Sequence, residues 1–318
     1  MNVDWINGKP GEPLIQVHHY DEHTVILRQS KRISFEAPFI FLLFGNERAF
    51  LLDTGATEDP EQFPLRTTVD GLIDAWLTKN PRENYELVVA HTHGHGDHVA
   101  GDAQFADRPL TTVVARELEA VQSFFGLSLG QAPSGGASRD SAPHDGASRG
   151  GASHGGASHG GASHGGASRD QASRDRVSFD LGGRVLEIIA SPGHHAAAIT
   201  TYDPWTGILF TGDTVYPGRL YVFDYAAFQT TLDRLVAFTE THPVKLVLGC
   251  HIEMKSKPGR DYPIGATYHP DERALEMTPA QLKTVRDATA TLGGKRGIHR
   301  FDDFLIFNEP RKWDVFKL

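Results

Sequence analysis

Four residues able to bind a metal fall within one six-residue stretch, His93-Gly94-His95-Gly96-Asp97-His98. Neutral imidazole and carboxylate suit zinc and similar borderline ions. In an extended segment residues i and i+2 point the same way, so His93 and His95 can grip one ion. Gly94 and Gly96 are expected to let the backbone turn sharply. Asp97 and His98 then face a neighbouring ion from the start of a helix. The plainer alternative is a solvated histidine run with no ligand role. Matching parts elsewhere in the chain count against it.

Residues 92 to 101, THGHGDHVAG, resemble the HxHxDH signature of the metallo-β-lactamase fold superfamily. Leu51-Leu52-Asp53-Thr54-Gly55 resembles that superfamily's early strand-end aspartate motif. Ser191-Pro192-Gly193-His194 resembles the loop with its third histidine, and Phe210-Thr211-Gly212-Asp213 the loop with its metal-bridging aspartate. Leu248-Gly249-Cys250-His251 resembles the last ligand strand. The five motifs stand in family order across roughly residues 14 to 255, interrupted by one insertion.

The resemblance implies an α/β (α+β) fold, the four-layer αββα sandwich. It implies that His93, His95 and His194 hold a first divalent ion, that Asp97, His98 and His251 hold a second, and that Asp213 bridges both. Zinc is the first expectation for the two ions, with iron or manganese as alternatives. A metal-bridging hydroxide would be the nucleophile, and the ion pair would polarise a carbonyl and stabilise the leaving group. Asp97 would steer the hydroxide as well as bind metal. Asp53 would orient a ligand or cap a turn. Tyr216 stands three residues after Asp213, where some lactone-hydrolysing members place a tyrosine against the substrate oxygen; aromatic packing is the equal alternative.

Asp213 points away from true β-lactamases, which generally lack the bridging aspartate. His95 points away from diiron redox members, which usually carry glutamate there. The expected activity is hydrolysis of a small ester, thioester or lactone, glyoxalase-II-like or lactonase-like. An iron-dependent redox enzyme and a phosphodiesterase or nuclease on the same fold are the alternatives.

The remaining histidines and aromatics have blander expectations. His91 and His195 adjoin ligand candidates but point elsewhere, which suits packing or support. His269 is expected to be structural. Tyr221, Phe223 and Tyr225 alternate, and either line a pocket wall or pack. Cys250 neighbours His251 on a strand, so it should face the core instead of the metal.

The elements that must place these groups are also legible. Residues 15 to 27, 39 to 44 and 49 to 52 are strand-like, with a hairpin at Gly45-Asn46. Val69, Leu72, Ile73, Trp76 and Leu77 mark an amphipathic helix over 68–79 that Asn80-Pro81 stops. Residues 87 to 90 form a short buried strand that delivers the histidine motif at its end. Later strands are expected at 177–179, 184–190, 199–202, 208–211 and 245–248. Phe228, Leu232, Leu235 and Val236 mark a helix. Thr278-Pro279-Ala280-Gln281 is a helix start with a cap, Pro at the first position and a capping-box Gln. Gly293-Gly294 ends that helix.

Residues 130–176 differ, with GGASH recurring at His154, His159 and His164. They offer little apolar surface to offset ordering entropy, so a flexible insertion is expected between residues 1–129 and 177–318, two halves of one domain. Its histidines are too loosely organised to predict metal binding. The net charge of −9, from 40 acidic and 31 basic residues, argues against nucleic acid or an anionic membrane as partner. A small-molecule substrate is expected. One cysteine, no apolar leader in residues 1–13 and no long apolar span fit a cytoplasmic protein.

Overall fold

The structure is a computed structural model that describes residues 1, 3–128 and 174–309. The repeat region at 130–173 lies outside the described residues. Its flanks meet: Ser128 and Arg174 exchange backbone hydrogen bonds of 2.8 and 2.7 Å in an antiparallel bridge.

The first half contains β1 (Ile15–Asp21), β2 (Thr24–Gln29), β3 (Phe39–Phe44), β4 (Arg48–Leu52), α1 (Leu65–Lys79), β5 (Glu86–Ala90), α2 (Gly96–Val99), β6 (Thr111–Val113) and α3 (Leu118–Phe125). The second contains β7 (Arg176–Asp180), β8 (Val185–Ala190), β9 (Ile199–Asp203), β10 (Ile208–Gly212), β11 (Arg219–Val222), α4 (Tyr225–Thr241), β12 (Leu246–Gly249), β13 (Glu276–Met277), α5 (Pro279–Leu292), β14 (Gly297–Arg300) and β15 (Leu305–Asn308). One sheet runs β1-β2-β3-β4-β5-β6 and a second runs β13-β12-β10-β9-β8-β7. A small third sheet, β11-β15-β14, flanks them.

Alternation along the strands builds the layers. On β3, Phe39, Phe41 and Leu43 face the inter-sheet core, where they meet Leu186, Ile188, Phe210 and Leu248 of the second sheet. Ile40, Leu42 and Phe44 face the other way, onto Leu65, Val69, Ile73 and Trp76 of α1. On β10, Leu209 points away from the inter-sheet core to Phe228, Leu232, Leu282 and Val285 of α4 and α5. The period-two side-chain rule thus gives helix, sheet, sheet, helix. The continuous apolar runs of β3 and β4 follow from burial on both faces.

Several expected boundaries needed adjustment. The run 15–27 is two strands, folded back at Glu22-His23 and paired Ile15 to Gln29. The capping box at Thr278 is present, with Gln281 N donating to Thr278 Oγ1 and Thr278 N donating to Gln281 Oε1. Gly293 closes α5 in a left-handed conformation. Tyr225 does not continue an alternating strand with Tyr221 and Phe223. Asp224 accepts from Ala227 N and starts α4 there, and the Tyr225 hydroxyl donates to the Thr289 carbonyl of α5. Among the described residues no helix is long and apolar enough to cross a membrane.

Candidate metal centre

Four strands of the two sheets end at one place. β5 runs into the loop holding His93 and His95, β8 into His194, β10 into Asp213 and β12 into His251. Functional groups on loops after strand ends, held by a rigid sheet, are the usual arrangement in layered folds. α2 begins right after His95 and presents Asp97 and His98 from its first turn. Neither Gly94 nor Gly96 takes positive φ, so the expected sharp turn is not why they are glycine. A Cβ on Gly94 would sit 3.3 Å from the His195 ring, which gives that position a mild steric reason. The strict requirement is at Gly212, where φ is +53° and a Cβ would lie 2.5 Å from Cβ of Thr92.

The structure brings all seven expected residues together in two groups. In the first, His93 Nε2 and His95 Nδ1 are 3.0 Å apart. His194 Nε2 lies 3.2 Å from the former and 3.0 Å from the latter. In the second, His98 Nε2 is 3.3 Å from Asp97 Oδ2 and 3.3 Å from His251 Nε2. Asp213 stands between the groups. Its Oδ2 is 3.6 Å from His98 Nε2, 3.7 Å from His194 Nε2 and 3.9 Å from His93 Nε2, and its Oδ1 is 3.3 Å from His251 Nε2.

The outer nitrogens assign the tautomers. His194 Nδ1 is 2.8 Å from the Tyr221 carbonyl and His251 Nδ1 is 3.0 Å from the Glu36 carbonyl. A carbonyl only accepts, so each Nδ1 donates and the facing Nε2 of the neutral ring carries a lone pair. Thr92 Oγ1 donates to Asp53, so it accepts from His93 Nδ1 at 3.1 Å, with the same result. Converging lone pairs about 3 Å apart repel unless a cation lies among them. Tetrahedral ligands about 2 Å from one zinc would stand roughly 3.3 Å apart, close to what is seen. Asp213 Oδ1 is buried without a hydrogen-bond partner, which also fits a cation.

Electrostatics separate the two groups. Burial, then His194, lowers His95 to about 4. Burial, then His98, His194 and His95, holds His93 well below its ordinary value. At His251 burial also opposes charge, but Asp213 and Asp97 outweigh it and push the ring up to about 9. His98 is carried well above its ordinary value despite burial, by Asp97, Asp213 and Asp53. At Asp213 burial opposes ionisation, yet His251 and His98 hold the carboxyl down at about 2. The two carboxylates of the second group thus favour positive charge beside them, which its histidines take up as protons and a bound cation would displace.

Asp53 is the support beneath it. The residue is fully buried with φ of +74°, a strained conformation for a residue other than glycine. Its carboxylate accepts from Thr92 N at 2.7 Å, Thr92 Oγ1 at 2.9 Å and Cys250 Sγ at 3.2 Å, and Oδ2 lies 2.9 Å from His98 Nδ1. Its contacts fit both expected roles: Oδ1 caps the backbone N–H of Thr92 and Oδ2 orients the His98 ring. Cys250 is fully buried in the inter-sheet core, where its thiol meets Asp53 and lies beside the His98 ring, beneath the two donor groups. Asn at position 53 would tolerate the left-handed backbone but would turn an amide N–H₂ toward these donors. Asp53→Asn should weaken metal binding at the Asp97–His98–His251 group by about 10- to 100-fold and spare the other group. Chelator competition would check this, and unchanged affinity would remove Asp53 from the account.

Tyr216 requires a correction. Its hydroxyl donates to the Arg219 carbonyl and lies 3.3 Å from Glu253 Oε2, and the residue is 2% exposed. Contact with a substrate oxygen does not fit those surroundings. The ring packs edge-on to His251, with centroids 5.6 Å apart. Burial, then Glu253, raises its hydroxyl well above the ordinary value, so it stays a neutral donor. His91 is also supporting: Nε2 is 2.8 Å from Asp102 Oδ1, which accepts from Thr54 Oγ1 at 2.7 Å. His195 Nδ1 accepts from Ala197 N at 3.1 Å. His269 stacks on Tyr262 at 3.8 Å and meets Glu272 Oε1 at 3.0 Å, a structural role. Sequence reasoning missed the carbonyls of Glu36 and Tyr221, since every residue has one and no side-chain pattern marks those that hold a ligand.

The sequence profile of the metallo-beta-lactamase superfamily matches residues 34–251. That is more than half of the chain, and the chain belongs to this superfamily. Hydroxyacylglutathione hydrolases of Brucella ovis and Brucella canis are each 31% identical to it over 111 residues. The match covers 34% of this chain and spans 40% of the length of those relatives. Among solved structures, the metallo-beta-lactamase DIM-1 is 13% identical, with 88% of this chain and 98% of that chain covered and a TM-score of 0.49. The enzyme TMB-1 is 14% identical, with 89% and 100% covered and a TM-score of 0.49.

Proposed function

We propose that this chain is a dinuclear metal-dependent hydrolase that cleaves a small ester, thioester or lactone. The observation that carries the reading is the convergence of imidazole nitrogens and carboxylate oxygens in two groups around Asp213, whose Oδ1 is buried without a hydrogen-bond partner. His93, His95, His194 and Asp213 would hold one divalent cation, and Asp97, His98, His251 and Asp213 the other. Zinc suits this imidazole and carboxylate set, with iron or manganese as alternatives. Bound there, the pair would supply Lewis-acid polarisation of a carbonyl and a nucleophile from water near neutral pH.

The chain's own groups do the positioning. Asp97 is more open than Asp213, with side-chain exposures of 24% and 8%. Burial raises the Asp97 carboxyl, but His98 and His251 outweigh it and hold it well below its ordinary value. As the more open of the two carboxylates it is placed to accept from an incoming water. The carbonyls of Tyr221 and Glu36 fix the rings of His194 and His251. Hydroxyacylglutathione hydrolases are by name hydrolases of an acylated small molecule, which supports an acyl substrate here. The lone buried cysteine is in keeping with a cytoplasmic setting.

The test is a panel of esters, thioesters, lactones and phosphodiesters, assayed with protein reconstituted separately with zinc, iron and manganese. Turnover of at least one carbonyl class is expected. Cleavage of phosphodiesters alone would overturn the substrate class, and oxygen consumption without hydrolysis would favour the redox alternative. The repeat region is proposed to be dispensable for this activity. Because Ser128 and Arg174 are paired, replacing 129–173 with a short Gly/Ser loop should leave the thermal midpoint and specific activity nearly unchanged. A large loss in either would show that the region contributes.

A further inference from the structure

Phe223 is the most exposed large apolar side chain among the described residues, at 63%. Single exposed apolar residues are ordinary on a protein surface, so exposure alone says nothing. Its location is informative. The ring centroid lies 5.7 Å from that of His194 and 6.0 Å from that of His95. The phenyl group therefore stands at the rim of the first donor group, in contact with two of its three rings.

The backbone holds it there. Phe223 N and Asp224 N both donate to the Gly193 carbonyl, at 3.0 and 2.9 Å. Gly193 has φ of +141°, and a Cβ there would lie 2.4 Å from Cα of Phe228, so this close approach requires glycine. Asp224 caps α4 through Ala227 N at 3.0 Å. Two residues before Phe223, the Tyr221 carbonyl receives His194 Nδ1. The histidine and the phenyl are thus clamped to each other from both sides of the same short loop. Fixing an apolar group in advance at a reactive centre lowers the ordering cost of binding.

We propose that Phe223 forms an apolar subsite that receives the alkyl or aryl portion of the substrate beside the His93–His95–His194 group. The proposal rests on the hydrolase reading only for the bond that is cleaved. Covering part of a phenyl ring with another apolar group favours a substrate that has one by about tenfold over a methyl-bearing homologue. An apolar acyl or alcohol portion is the substrate feature this selects.

The test compares acetate and phenylacetate as probes of the zinc-loaded full chain. Both carry the same carboxylate, and phenylacetate adds only the ring. Calorimetric titration of the unaltered protein should show phenylacetate binding about tenfold tighter than acetate. Phe223→Ala should bring the two within about twofold by weakening phenylacetate alone, and Phe223→Leu should keep part of the preference. Because the side chain is exposed, zinc content and thermal midpoint should match the unaltered protein. Preference undiminished in Phe223→Ala, or no preference in the unaltered protein, overturns the subsite. Methyl and phenyl esters assayed in parallel separate the two claims. If no ester is cleaved while the probe preference follows Phe223, the subsite stands and the hydrolase reading falls. If esters are cleaved with a phenyl preference that ignores Phe223, the hydrolase reading stands and the subsite is wrong.

Discussion

Asp213→Ala should lower turnover by at least about a thousandfold and strip metal from both donor groups. The reason is its place. Oδ2 is within 3.9 Å of nitrogens from both groups and Oδ1 faces His251. Among the seven, the other six side chains fall into one group or the other. Loss of a ligand from one group, as in His251→Ala, should release mainly one ion. Loss of Asp213 removes the shared anion and weakens both. Metal analysis and turnover of the two variants, side by side, make the contrast. If Asp213→Ala kept both ions and its rate, the shared role would be wrong.

The second large effect lies away from the centre, at Arg184. This side chain is 1% exposed and ties the two sheets together. It pairs with Asp203 of β9 at 2.7 and 3.2 Å and donates to Thr24 Oγ1 at 2.8 Å and to the carbonyls of His23 and Phe44. Removing one partner of a buried pair leaves the other charged and unpaired, which costs about 3–5 kcal/mol. Arg184→Met should lose that much in urea unfolding, at nearly constant urea dependence. A loss below about 1 kcal/mol would show that the pair contributes little net stability. The pair also predicts acid sensitivity. Burial opposes ionisation of Asp203, but Arg184 and Thr206 outweigh it and lower the carboxyl below its ordinary value. A depressed folded-state value gives stability that is full above the ordinary carboxylate range and fades as pH falls through the lowered one. Arg184→Met should flatten that acid limb.

The stretch from His93 to His98 was legible from its own residue types, and His194, Asp213 and His251 through short strand-end motifs that resemble those of the family. The elements were legible because α1 and α4 carry a helical period and β3 and β4 are continuous apolar runs. Pattern alone gives only a layered α/β or α+β fold, and the four-layer order was implied by the family resemblance. Other features depend on partners distant in sequence. The direction of the Tyr216 hydroxyl is set by Arg219 and by Glu253, thirty-seven positions later, and spacing from Asp213 cannot reveal it. Residues 254–275 resemble none of the five family motifs, and their anchors lie elsewhere: Glu272 pairs with Arg28 of β2 at 2.6 Å, and Asp261 meets Arg219 of β11 at 3.0 Å. The third sheet joins β11 to β15 in parallel across more than eighty intervening residues, a pairing local propensity does not encode. The break between Phe223 and Tyr225 was readable in principle, since Asp224 precedes a helical run and is a good N-cap.

Metal content of the chain, purified without chelator and then reconstituted, is the most direct test of the dinuclear centre. Elemental analysis should approach two divalent ions per chain, falling toward one in His251→Ala and toward none in Asp213→Ala. A chain that stays metal-free after exposure to zinc, iron and manganese would contradict the account at its foundation.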